Sequence, residues 1–153
     1  MLSIRPIALL APALALVVAA CSGGAAPSAP TPTESAAPTG PVRVEIKLTD
    51  GFRIEPSDVS VPVGVPVTFV VTNSGAIDHE FYVGDQAAQD AHAQEMQTMG
   101  GMAHDEAMGI SLKPGQTKEL TITFQSAGAL LAGCHVSGHY AAGMKSTITV
   151  GGS

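Results

Sequence analysis

From residue 42 the chain alternates with a period of two. Val42, Val44, Ile46 and Leu48 fall on one face and Arg43, Glu45, Lys47 and Thr49 on the other, the pattern of a strand with one buried side. The same alternation returns in Val65, Val67, Phe69 and Val71, in Ile77, His79, Phe81 and Val83, in Leu120, Ile122 and Phe124, and in Ser146, Ile148 and Val150. Turn-forming stretches such as Val63-Gly64 and Lys113-Pro114-Gly115-Gln116 separate these runs. Short alternating strands joined by Pro and Gly turns predict an all-β fold, an antiparallel Greek-key β-sandwich whose two sheets bury their apolar faces against each other. On this alternation Asp78 and Glu80 point away from the core, toward solvent.

One segment breaks the pattern. Asp85 to Ala103 is rich in Ala, Gln and Met, has Thr98 as its single β-branched residue, and predicts a helix ending at Gly100-Gly101, within an insertion covering about residues 85–108. Met96, Met99, Met102 and Met108 lie here with His92 and His104, and helical spacing puts His92, Met96 and Met99 on one face. Two readings stand side by side. Methionine supplies adaptable apolar packing for a helix laid on the sandwich; equally, neutral thioethers bind Cu(I) without losing a proton and would make a secondary copper site. Asp105 and Glu106, after the glycine break, read as solvating charges like Asp78 and Glu80.

The first forty residues add no core. Residues 1–20 carry one charge, Arg5, before an apolar run too short to span a bilayer, the form of an export signal. The run ends in Val18-Ala19-Ala20-Cys21, which resembles the lipobox of bacterial lipoproteins and makes Cys21 the expected lipidation site. Residues 21–40 are, after Cys21, Ala, Pro, Ser, Thr and Gly with one charge, Glu34, and read as a tether that at about 3 Å per residue would reach up to ~60 Å. The expected organisation is therefore a signal peptide, a lipidated tether and one domain over 41–153, held outside the cytoplasm at a membrane surface. With 153 residues there is no room for a multidomain enzyme, and a net charge of −6 without clustered cations excludes a nucleic-acid partner.

Chemistry concentrates near the end of the chain. Once Cys21 carries lipid, Cys134 is the sole thiol in an oxidising compartment, so it is either a small buried hydrophobe or a ligand. Cys134-His135-Val136-Ser137-Gly138-His139-Tyr140-Ala141-Ala142-Gly143-Met144 puts a thiolate, an imidazole and a thioether in one loop, a donor set for a metal of intermediate softness. His79, on the inward set of its strand, is the candidate donor from elsewhere, against the alternative of a hydrogen-bonded core histidine. Arrangements for other chemistry are missing: no Ser/His/Asp set of recognisable form, no Gly-rich phosphate loop and no paired CxxC for zinc.

The Pro62-Val63-Gly64-Val65-Pro66-Val67-Thr68-Phe69 stretch, Asp78-His79-Glu80-Phe81, and Cys134, His139 and Met144 at intervals of five together resemble the cupredoxins, the small blue-copper proteins such as plastocyanin, azurin and rusticyanin, over about residues 42–150. That resemblance implies one type 1 copper, with His79, Cys134 and His139 in the trigonal plane and Met144 as the long axial contact. It implies a monomeric, non-enzymatic carrier relaying single electrons between redox proteins, with His139 presenting its ring edge at an apolar surface. Glu80 stands where plastocyanin and azurin have an Asn that braces the cysteine loop. Cys-His-x3-His-x4-Met also ends the type 1 site of multicopper oxidases, but their trinuclear cluster needs His-x-His pairs that this chain lacks, so His135 is expected to support the site or lie at the surface. The alternative function is copper handling, as storage, chaperone or resistance, with the Met/His-rich insertion contributing. A third, a reductase with copper shared between subunits, requires an obligate oligomer.

Overall fold

The computed structural model describes residues 40–100 and 104–151; the export segment, Cys21, the tether and Met102 lie outside them. Nine strands and one helix follow one another: β1 (Val42–Thr49), β2 (Arg53–Glu55), β3 (Asp58–Val61), β4 (Pro66–Asn73), β5 (His79–Gly84), α1 (Gln86–Thr98), β6 (Gly109–Leu112), β7 (Thr117–Thr123), β8 (Gly128–Gly133) and β9 (Lys145–Val150). One sheet runs β2-β1-β4-β7 and the other β3-β9-β8-β5-β6. The expected sandwich with a helical insertion is what forms.

Its sheets are mixed rather than antiparallel. β1 runs parallel to β4, from Val42 opposite Val67 to Leu48 opposite Asn73, and β3 runs parallel to β9. Between β1 and β4 the chain leaves for the second sheet to form β3, so it re-enters in its original direction, as a parallel neighbour requires. Alternation does not carry this information, because a strand buries the same face whichever way its neighbour runs. Nor does it mark β2, β3, β6 and β8, which are short or, like Gly128–Gly133, built of Gly, Ala and Leu without polar alternation.

The inward positions of β1, β4, β5, β7 and β9 meet in a single core. Phe69 is fully buried, with its ring centroid 5.4 Å from that of Phe81 across the sandwich and 6.4 Å from that of Phe124. Ile77, expected to lie inward, stands outside β5 and is 44% exposed.

The helix changes the reading of β5. Asp85 caps α1, its carboxylate accepting the Ala88 N–H at 2.8 Å, and the helix lies over the outer face of the second sheet, where Gln89 Nε2 donates to the carbonyls of Tyr82 and Leu131. β5 is therefore covered on both sides. Glu80, expected to face solvent, is fully buried beneath α1, and Glu106, likewise expected as a solvating charge, turns in toward the same place with 29% of its side chain exposed. Asp78 and Asp105 do sit at the surface, paired with Lys113 and Lys118.

Phe69→Ala would leave a void where three aromatic rings meet, and a loss of about 3–5 kcal/mol in unfolding free energy is expected in urea titration.

Candidate metal centre

Cys134 follows the last residue of β8 and Met144 precedes the first of β9, so the pairing of Gly133 with Lys145 brings the two ends of the loop together. Cys134 N–H donates to the Met144 carbonyl at 3.2 Å, and Met144 N–H to that of His139 at 3.0 Å. Gly138 and Gly143, at φ of 84° and 95°, allow turns that residues with a Cβ rarely adopt. The loop is folded on itself through its own backbone. Gly133 has a second role: a Cβ there would fall 2.6 Å from the Tyr140 ring and 2.7 Å from Gln89 Oε1, so its absence lets the loop and the helix both close on β8.

His79, Cys134 and His139 are all buried, and their donor atoms lie within 4.8 Å of one another. The Nδ1 of His79 is 3.9 Å and that of His139 3.4 Å from Cys134 Sγ. Around an ion with metal–nitrogen distances of about 2.0 Å and a metal–sulfur distance of about 2.3 Å, donors are expected roughly 3–4 Å apart. Met144, also fully buried, belongs to the same apolar cluster as Cys134.

Each donor has a support. The far nitrogen of His79, Nε2, stands 3.2 Å from Asp50 Oδ1, which leaves Nδ1 free toward the thiol; Asp50 is itself fixed by the Ala76 N–H, and this contact first, with that of His79, holds its carboxyl below the usual range. The Glu80 N–H points at Cys134 Sγ at 3.3 Å. Burial pushes the Cys134 thiol up to about 12, so a metal binding there must displace its proton. Burial lowers His139 as well, assisted by His79. Phe52 packs on His139 at 4.8 Å between ring centroids and leaves that imidazole 6% exposed, beside exposed Ala141 and Ala142.

The Glu80 side chain takes over the bracing expected of an Asn. Its Oε2 accepts the His135 N–H at 3.1 Å, directly after the cysteine, while Oε1 stands 2.9 Å from His92 Nε2. Desolvation raises the Glu80 pKa, opposed chiefly by His92. His135 is buried, with Nε2 2.7 Å from Gln89 Oε1 and its ring stacked on Tyr140, and burial pushes it down to about 4. It supports the loop from outside the donor set.

The candidate secondary residues fall in different settings. His92 and Met96 are on α1 and buried, Met99 ends the helix at 37% exposure, Met108 packs against the sandwich core, and His104 stands with its ring centroid 6.4 Å from that of His92. Asp50 and Phe52 escaped sequence reading because they lie in the β1–β2 turn, and only the fold brings that turn to His79 and His139.

Residues 41–151 match the model of the copper-binding proteins of the plastocyanin/azurin family. The chain belongs to that family. It is 36% identical over 107 residues to the copper-resistant cuproprotein CopI of Rubrivivax gelatinosus and 39% identical over 106 residues to that of Vibrio cholerae, covering 70% and 69% of this chain and 65% and 63% of theirs. The chain thus spans just under two thirds of the length of these relatives. CopI of Pseudomonas aeruginosa is 32% identical over 136 residues, 70% of this chain and 75% of that one. Among solved structures, auracyanin of Roseiflexus castenholzii has the same fold, with a TM-score of 0.65 at 22% identity over 74% of this chain and 99% of its own. Auracyanin A, a blue copper protein of Chloroflexus aurantiacus, has a TM-score of 0.60 at 25% identity over 72% and 99%. The buried His-Cys-His group with Met144 alongside fits a type 1 copper site.

Asp50→Ala would free the His79 ring to turn away from Cys134; copper affinity, measured by competition with a chromophoric chelator, is expected to fall about 10–100-fold with the fold intact.

Proposed function

We propose that this chain is a copper-handling cuproprotein of the cell envelope, holding one copper through His79, Cys134, His139 and Met144 and protecting the cell against excess metal. The observation that carries this is the convergence of three buried donors in a chain whose relatives are named copper-resistant cuproproteins. Copper in such a site supplies one-electron chemistry between Cu(I) and Cu(II). Everything else is the work of the protein. Cys134 gives up its proton on loading, and the Glu80 N–H stays aimed at the sulfur to stabilise the thiolate. His79 from β5 and His139 from the cysteine loop present Nδ1 to the same site, each held before the metal arrives, one by Asp50 and one by Phe52. Met144 contributes a neutral thioether that suits the softer oxidation state. With these donors buried, loaded metal is shielded from adventitious reductants and ligands.

The protein acts in this reading as a monomeric binding protein rather than an enzyme. Its single chain offers no His-x-His pair for a trinuclear cluster. Val18-Ala19-Ala20-Cys21 supports export and lipid anchoring at Cys21, which would set the domain outside the cytoplasm, where copper first enters. Electron relay between redox proteins is the second reading. It is favoured by the likeness to auracyanin A and by a donor, His139, lying just beneath exposed Ala141 and Ala142.

Copper(II)-loaded protein is expected to show intense visible absorption and narrow copper hyperfine splitting, both lost in Cys134→Ser. Expressed in a copper-sensitive bacterium, the chain should raise the tolerated copper concentration and Cys134→Ser should not; equal tolerance with both would sink copper protection through this site. A Cu(I) acceptor should withdraw the metal within one reduction, whereas a relay would retain it through repeated redox cycles.

A further inference from the structure

On the opposite side of β5 from Cys134 a second group of donors is assembled. His92 is buried by the packing of α1, its side chain 1% exposed and its ring stacked on Tyr82 at 4.0 Å. Its Nε2 faces Glu80 Oε1 at 2.9 Å. Its Nδ1 faces Glu106 Oε1 at 3.1 Å and Glu95 Oε2 at 3.7 Å, yet neither His92 Nδ1 nor Glu106 Oε1 has a hydrogen-bond partner, and both atoms are shut off from water. The Nδ1 of His104 is also buried without a partner, and its Nε2 lies 3.9 Å from Glu95 Oε1. Native folds rarely leave three such atoms unsatisfied within one small region. A cation between His92 Nδ1 and Glu106 Oε1, which lie in one close group with Glu80, would satisfy both of those atoms, with His104 near enough to close over it.

The arrangement repeats the logic of the first centre. At His79 a carboxylate, Asp50, holds Nε2 and leaves Nδ1 for the site; at His92 the carboxylate of Glu80 holds Nε2 and leaves Nδ1 facing Glu106 and Glu95. A histidine gripped from behind by a carboxylate is the usual setting of a metal-binding imidazole. We propose that His92 Nδ1, Glu106, Glu95 and His104 form a second metal site for a divalent transition cation, Cu(II) by preference, with Glu80 as the positioning residue. Imidazole and carboxylate donors suit divalent copper and zinc rather than Cu(I), and among divalent ions copper(II) binds such sites most tightly. The site differs in chemistry from a thioether trap, since Met96 is buried and Met99 exposed at the helix end. Glu95 and His104 remain 50% and 36% exposed, which leaves a way in for the ion. None of its donors belongs to the Cys134 centre, so it stands or falls separately from the copper-handling reading.

The full chain, titrated with Cu(II), is expected to bind about two coppers, the second giving a wide-hyperfine resonance and no visible charge-transfer band. In the triple variant Glu95→Gln, His104→Gln, Glu106→Gln that second resonance should vanish and binding fall to about one. Visible absorption from the Cys134 centre should persist in the variant, which also reports that it is folded. Wild-type protein that binds copper without any wide-hyperfine resonance, or a triple variant that keeps that resonance, would overturn the site. A wild-type protein without the visible band, but with a wide-hyperfine copper lost in the variant, would count against the Cys134 centre and sustain this one.

Discussion

A buried carboxylate that must be satisfied from two directions organises this molecule. Glu80 lies in a strand covered on both faces, and water cannot reach it to stabilise its charge. Its two oxygens are met instead by the backbone N–H of His135 and the ring of His92, one from the loop that carries Cys134 and the other from α1. Neither element could shift without leaving the carboxylate exposed to an apolar interior with a missing partner. The helix, β5 and the cysteine loop are therefore positioned against one another by a single side chain, while the Glu80 backbone N–H contacts the cysteine sulfur itself.

Rigidity of that kind suits the chemistry of the loop. A metal that changes oxidation state alters its preferred distances and geometry, and a donor set fixed by the protein suppresses the accompanying movement. Here each donor is restrained from outside the set: His79 by Asp50, His139 by Phe52, Cys134 by Glu80 and the loop by its internal backbone bonds. Substituting a carboxylate for a neutral amide at position 80 adds a negative charge close to the thiolate when Glu80 is ionised, and negative charge favours the oxidised, more positive metal. Cu(II) would then be held more tightly relative to Cu(I), which would lower the potential of the site and make it a weaker electron acceptor.

The sandwich was legible in the alternation of Val42 to Leu48, Val67 to Val71 and Ser146 to Val150, because a strand with one buried face writes its period into the chain. The donors were legible for a different reason: Cys134, His139 and Met144 sit in one loop, and their spacing is a local property. What stayed hidden depends on contacts remote in sequence. Parallel pairing of β1 with β4, the turn that delivers Asp50 and Phe52, and the burial of Glu80 all arise where separate elements meet. Glu80 is the sharpest case. Period-two alternation assigns it correctly to the outer face of its sheet, but only the placement of α1 decides that this outer face is an interior.

That same placement gives the insertion polar contacts as well as packing. A helix added solely to cover a sheet would bring apolar side chains to the contact, yet α1 buries Gln89, His92 and Met96, two of them polar. Gln89 is accounted for by its bonds to two strand carbonyls and to His135. His92 is accounted for on one nitrogen only. Burying an imidazole with its second nitrogen unsatisfied opposes folding, a cost that a bound cation would remove. His79, the buried histidine with Asp50 at its back, faces Cys134 and His139, and the proposed second site would give His92 the same arrangement with Glu80 behind it.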